Sequence, residues 1–148
     1  MSEFTIRPAV LDDAPQAELL LAELGYPIGD PGARARLELL LSARRVHTRV
    51  AAEAGSLLGL VSAQFVEMFA YRLIFVTVLV VKREARRRGV GAALMAAMDD
   101  FGRENGCEQT MGVVRSDLPE NHRFFKGAGY TQAGIRFLRA LPLSGGDV

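Results

Sequence analysis

Arg86-Arg87-Arg88-Gly89-Val90-Gly91 stands between a β-branched run, Leu73 to Val81, and a helical pattern beginning near Ala92. A strand that runs through a glycine turn into a helix offers unpaired backbone N–H groups and the positive end of the helix macrodipole. That is a place for a phosphate, because glycines let an anion approach the backbone and the arginines add charge. A dinucleotide fingerprint fits poorly, since Gly89-x-Gly91-x-x-Leu94 puts leucine where the third small residue should pack helix on strand. A P-loop does not fit either, for no Gly-Lys-Ser/Thr follows. Against the phosphate reading stands the plainer one, that arginine runs are often only solvated loop surface.

The elements around this loop must therefore be considered. With 148 residues, 49% hydrophobic and 24% charged, the chain fits a single globular domain over 1–148 that buries its own core. A net charge of +1 gives no general pull toward nucleic acid or membrane surface; the basic character is local, at Arg83 and Arg86 to Arg88. One cysteine, Cys107, excludes an internal disulfide and a cysteine metal cluster, and reads as a buried or half-buried thiol near a strand start. No signal-peptide order is seen at Met1 to Arg7, and Leu73 to Val81 is too short to span a bilayer, so a cytoplasmic location is expected.

Phe4 to Arg7 reads as a first strand stopped by Pro8, followed by a helix capped by Asp12 or Asp13, carrying Ala17, Leu20, Leu21 and Leu24, and ended by Gly25. Tyr26 to Gly32 is turn-rich, and Leu37, Leu40 and Leu41 mark a second helix to about Ala43. Val46–Glu53 and Leu57–Val66 read as a hairpin through Ala54-Gly55-Ser56, with Leu73–Val81 as a further strand. The helix after the loop presents Ala93, Leu94, Ala97, Met98 and Phe101 on one face and closes at Asn105-Gly106. Gln109 to Val114 is then a strand parallel to the Leu73 strand. A short helix at Asn121 to Gly127 and a last strand near Ile135 to Leu141 finish the chain.

Arg86-x-x-Gly89-x-Gly91 resembles the acyl-CoA pyrophosphate loop of the GNAT (Gcn5-related N-acetyltransferase) superfamily. Asn121 to Tyr130, with its aromatic pair Phe124-Phe125 and its Gly129-Tyr130 end, resembles a second segment of that family, although Arg123 replaces a residue that is often small. The resemblance implies an α/β (α+β) fold: a central mixed, mostly antiparallel sheet whose parallel fourth and fifth strands splay apart, flanked by helices. It implies acetyl-CoA as acetyl donor and no metal. Leu79, Val80 and Val81 would offer backbone groups to the acetyl carbonyl and the pantetheine arm, in the manner of an oxyanion site. The pyrophosphate would sit on the N–H groups of Arg87, Arg88, Gly89, Val90, Gly91 and Ala92, with Arg86 and Arg88 as charged partners. Asn121 would bond the pantetheine arm or an ordered water.

The proton transfers are less well marked. Many relatives donate a proton to the departing thiolate from a tyrosine, and here Phe125 holds that position; water, Ser116, Tyr26 or Tyr71 are substitutes. Thr77 stands where some relatives carry an acidic base. Glu67, near the end of the third strand, is the leading acidic candidate, directly or through water, ahead of Asp117 and Glu120. His47 and His122 have no visible metal or triad partner. The acceptor implied is a primary amine of a small molecule or peptide, and few carboxylates in the variable stretches disfavour a polycation. The alternative is a non-catalytic acyl-CoA-binding or sensory module, to which Phe125 lends weight. Domains of this family often dimerise, which leaves a homodimer open.

Overall fold

A two-residue reversal at Ala54-Gly55, with φ of 50° and 82°, joins the two strands at the centre of this fold. Both residues are left-handed, the conformation whose twist matches the flanking strands of a tight hairpin. The computed structural model describes residues 3–25, 32–114 and 119–142. They fall into two units, Met1–Val113 and Val114–Val148.

The first unit contains β1 (Thr5–Pro8), α1 (Ala14–Glu23), α2 (Gly32–Ser42), β2 (Val46–Glu53), β3 (Ser56–Glu67), β4 (Arg72–Val81), α3 (Val90–Glu104) and β5 (Gln109–Gly112). The sheet runs β1-β2-β3-β4-β5. The first three pairings are antiparallel and β4–β5 is parallel, with α3 as the crossover that a parallel pair needs. The mixed sheet expected from the resemblance is therefore present.

One face of the sheet packs on α1 and α2, where Ala14, Ala17, Leu20 and Leu37 meet Val50, Leu57, Leu60 and Val80. The other face carries α3. Gly59 shows how closely, since a Cβ there would lie 2.9 Å from the Val80 carbonyl oxygen and 3.0 Å from Leu94. The buried seam of α3 is Val90, Leu94, Met98 and Gly102, with Met95 beside it. Each member lies four residues from the last, and small residues at Gly59 and Gly102 bring the helix down along that line. The stripe is thus rotated from the expected one, and Ala93, Ala97 and Phe101 lie at its margin.

Several further expectations are corrected. Pro8 is the last residue of β1 rather than its stop, which an edge strand tolerates because the missing N–H need not enter a ladder. Asp13 does not cap α1. Its carboxylate turns back to the Arg7 guanidinium (2.8 and 2.9 Å) and the Val10 N–H (2.8 Å), and it is 5% exposed. Leu40 and Leu41 face outward, leaving Leu37 as the core residue of α2. β5 ends at Gly112, two residues short of Val114.

The second unit holds α4 (Pro119–Gly127) and an irregular segment after it. Ile135 to Leu141 does not form the expected last strand; Ile135, Phe137, Leu138 and Leu141 are exposed. Aliphatic and aromatic residues suit a pleated surface, but a strand exists only through its ladder, and this segment enters none.

Candidate functional site

β4 delivers the chain to the arginine-glycine loop through a single turn of 3-10 helix, Arg83–Ala85, whose Ala85 is buried. Arg86 is extended, Arg87 has φ 66° and Gly89 has φ 81° before α3 begins at Val90. Two left-handed residues so close together fold the backbone into a concave turn, the geometry in which successive N–H groups converge on an anion. No side chain caps α3 at Gly89, and its first intrahelical bond is Ala93 N–H to the Gly89 carbonyl at 3.0 Å. The N–H groups of Val90, Gly91 and Ala92 therefore precede the helical ladder, as they do at any helix start. A Cβ built at Gly89 would meet nothing within 4 Å. The space outside the turn is free for a pyrophosphate, so the residues fit that group.

The arginines are placed unequally. Arg88 reaches back to Glu53 at the end of β2, with Nη2–Oε2 at 2.7 Å and Nη1–Oε1 at 3.4 Å, and both side chains are about one-quarter exposed (27% and 26%). Arg86 donates from Nε to the Val81 carbonyl at 3.3 Å. Arg87 is exposed. Arg88 thus meets a carboxylate that sequence reading did not connect to it.

Above the loop, β4 changes neighbours. Its parallel pairing to β5 covers only Leu73 to Val76, opposite Gln109 to Gly112. From Thr77 to Val81 the strand is paired to β3 alone, so its β5-side edge lies open in this unit. Leu79, Val80 and Val81 occupy this stretch, and Val81 leads within five residues to Arg86. The β3–β4 register also shifts here: Ala63 pairs with Val76 and Ser62 with Val78, leaving Thr77 as the extra residue of a bulge. Only a sequence with alternating polarity could have announced that bulge. Leu73 to Val81 is apolar throughout except at Thr77.

Glu67 and this open edge are far apart. Glu67 pairs with Arg72 across the β3–β4 hairpin end, in register and by an ion pair. Leu79 lies seven positions further along β4, about 23 Å in an extended strand. A carboxylate cannot span that distance directly or through one water, so the structure does not bring Glu67 to Leu79. Thr77 does lie at the edge, and its hydroxyl donates to the Ser62 carbonyl at 3.1 Å.

His47 packs elsewhere, stacked on Phe101 with ring centroids 4.3 Å apart and an interplanar angle of 9°. Arg49 Nε donates to its Nε2 at 2.7 Å. Burial lowers the His47 pKa, Arg49 lowers it further, and Glu104 opposes them. It is a structural, neutral histidine. Burial likewise pushes the Cys107 thiol upward, which makes it a poor nucleophile. Among the described residues no group of three His, Cys, Asp or Glu side chains could hold a metal ion, and no helix is long and apolar enough to cross a membrane.

In the second unit, Asn121, Phe124 and Phe125 are half-buried and share one face of α4, as residues three and four apart must. Gly129, at φ 92°, turns the chain so that Tyr130 N–H returns to the Phe125 carbonyl at 2.9 Å. The Tyr130 and Phe124 rings both meet Phe125 edge to face, at 5.0 and 5.4 Å. The glycine-tyrosine end of the motif is thus a hook that holds Phe125. Tyr26, Ser116 and Asp117 lie outside the described residues.

Comparison with known proteins adds an independent measure. A family model described as the acetyltransferase (GNAT) family matches residues 15–130. An aminoalkylphosphonate N-acetyltransferase from Salmonella typhimurium is 32% identical over 126 residues, covering 84% of this chain and 79% of the relative. Among solved structures, a transcriptional regulator from Bacillus halodurans superposes with a TM-score of 0.84 at 17% identity, over 94% of this chain and all of that one. An aminoglycoside N-acetyltransferase in complex with CoA gives 0.83 at 20% identity, over 95% and 96% of the two chains. At these identities the two superpositions speak for the fold alone.

Proposed function

The chain belongs to the acetyltransferase (GNAT) family, and from that premise we propose that it is an acetyl-CoA-dependent N-acetyltransferase acting on the primary amine of a small molecule, by direct transfer within a ternary complex. One observation carries the reading: the open edge of β4 at 77–81 runs directly into a left-handed glycine turn that opens α3. An extended amide-bearing arm fits the first and a pyrophosphate the second. The matched residues 15–130 lie in both units, which favours one functional domain over 1–148.

When bound, acetyl-CoA supplies an activated acetyl thioester, to which an amine adds with C–N formation, C–S cleavage and loss of a proton from nitrogen. The chain's part is electrostatic and positional. Backbone N–H groups in Leu79–Val81 are fixed dipoles beside the carbonyl, and fixed dipoles stabilise developing negative charge without reorganising. The turn from Arg87 to Ala92 anchors the donor, with Arg86 and Arg88 supplying charge. Asn121 and the Phe124–Phe125 face of α4 are proposed as further contacts to the pantetheine arm. With Glu67 distant from Leu79, we assign the amine's proton to solvent.

The acetylated amines of the Salmonella relative, named as aminoalkylphosphonates, favour a small acceptor over a peptide. The test begins with thermal shifts in CoA, acetyl-CoA and pantetheine, which lacks the pyrophosphate. Both nucleotides should raise the melting temperature and pantetheine should not. Thiol release with a panel of small primary amines, aminoalkylphosphonates included, then identifies the acceptor. No shift with either nucleotide overturns the reading. Saturable CoA binding with no turnover on any amine would instead support a non-catalytic acyl-CoA-binding module, the reading favoured by Phe125 in place of tyrosine.

A further inference from the structure

β4 faces two helical layers in succession, and a single residue makes the exchange. Ile74 lies under α3, where a Cβ on Gly102 would meet its Cγ2 at 3.3 Å. In an uninterrupted strand Val76, Val78 and Val80 would all follow it to that side. Val80 and Val78 instead pack with the α1–α2 cluster. The extra residue at Thr77 reverses the alternation, and with it the edge to which each following N–H and C=O points.

Side-chain pattern does little to hold that arrangement. Val78, Leu79, Val80 and Val81 are all apolar, with Val80 buried and the other three half-buried, so a one-residue slip would exchange apolar for apolar. The polar exception in the run is Thr77, whose hydroxyl donates to the Ser62 carbonyl, the residue opposite Val78. We propose that Thr77 is a positioning residue: its hydroxyl, held on the Ser62 carbonyl, fixes the bulge and so determines which N–H groups of Val78–Val81 face the open edge. This rests on the acetyltransferase reading, in which that edge receives the acyl donor. Thr77 stands in the position where an acidic base was considered, and its role is geometric instead.

The test compares Thr77→Val, which keeps the shape and loses the hydroxyl, with Thr77→Ser, which keeps the hydroxyl; Thr77→Ala serves should the valine variant not fold. Three quantities are read: CoA affinity by calorimetry, kcat for acetyl transfer, and backbone amide shifts of residues 78–81. The valine variant should bind CoA within about threefold of wild type, because the phosphate turn is untouched, but lose on the order of tenfold or more in kcat through misplaced donors. Its amide shifts at 78–81 should move. The serine variant should restore both. Wild-type turnover and unmoved amide shifts in the valine variant overturn the proposal, as does equal loss in valine and serine variants. Should the wild-type protein fail to bind CoA, the function reading falls, while the amide shifts still decide whether the hydroxyl sets the bulge.

Discussion

Arg88, in the turn that opens α3, holds Glu53 at the end of β2, with one guanidinium nitrogen at 2.7 Å and the other at 3.4 Å from the carboxylate. The pair places a negative charge beside the turn proposed to hold the pyrophosphate. Solvent-accessible pairs are worth about 0–1 kcal/mol to stability, and this one is still about one-quarter exposed, so its larger effect is expected on ligand affinity. Glu53→Gln should leave the melting temperature nearly unchanged and raise CoA affinity by about two- to threefold, as Arg88 is released and a like charge removed. Arg88→Ala should lower it by about tenfold, the scale of one charge-assisted bond to phosphate. Calorimetric titration of both variants and the double variant measures this; weaker binding in Glu53→Gln would show that the carboxylate instead orients Arg88.

Two glycines should respond to alanine for different reasons. Gly89 has open space around its missing Cβ, so Gly89→Ala meets only the left-handed penalty of about 1–2 kcal/mol. Its methyl group would nevertheless stand in the open space proposed for the pyrophosphate, and CoA affinity should fall. Gly59→Ala drives a Cβ to within 2.9 Å of a backbone oxygen and should cost at least about 1–3 kcal/mol as overpacking, through α3. Chemical denaturation with and without CoA separates the two, and equal ligand effects would contradict the assignment of Gly89 to the cradle.

Acid should weaken the first unit through His47. Burial and Arg49 hold its folded pKa below the ordinary value of 6.5, so the folded state disfavours the proton. The unfolded chain takes up that proton first. Stability contributed by the neutral ring is therefore complete above about pH 6.5 and declines as pH falls through that value toward the folded pKa. Protonation would also convert Nε2 from acceptor to donor and break the bond from Arg49. Melting curves between about pH 7 and pH 5 should show a decline that His47→Leu reduces. An identical decline in the variant would place the sensitivity elsewhere.

Phe125→Tyr restores a hydroxyl where many relatives have one. The hook made by Phe124, Gly129 and Tyr130 holds the ring in place, and the substitution changes little of its packing. We expect a higher kcat with unchanged CoA affinity, and a new basic limb in the pH–rate profile from the added phenol. An unaltered profile would mean that the thiolate departs without a donor at this position.

What could be read from residue order alone was mostly local. Gly89 marked the turn because glycine enters a left-handed conformation most easily, whereas Gly91 proves to be the second residue of α3, and Asn105-Gly106 closed that helix as expected. The parallel β4–β5 pair followed from the helix between them. Contacts distant in sequence were hidden. Glu53 lies 35 residues before Arg88, and nothing in either neighbourhood advertises the other. The Thr77 bulge was hidden differently, by an apolar run with no alternation to interrupt. Asp13 looked like a cap because its position suits one, but a guanidinium and a nearer N–H compete better for its carboxylate. Glu67 looked eligible only until the register placed it opposite Arg72.

The division of β4 at Val76 affects how this protein responds to mutational scanning. Up to that residue the strand is scaffold, and truncating Ile74 or Val76 should register as lost stability. Beyond it the strand presents peptide bonds, which every amino acid but proline supplies equally. An alanine scan of 78–81 would therefore score the packing of those side chains and remain blind to the acyl-donor contacts proposed for their backbone. Replacing single amides by esters along the same residues would map it, one donor at a time.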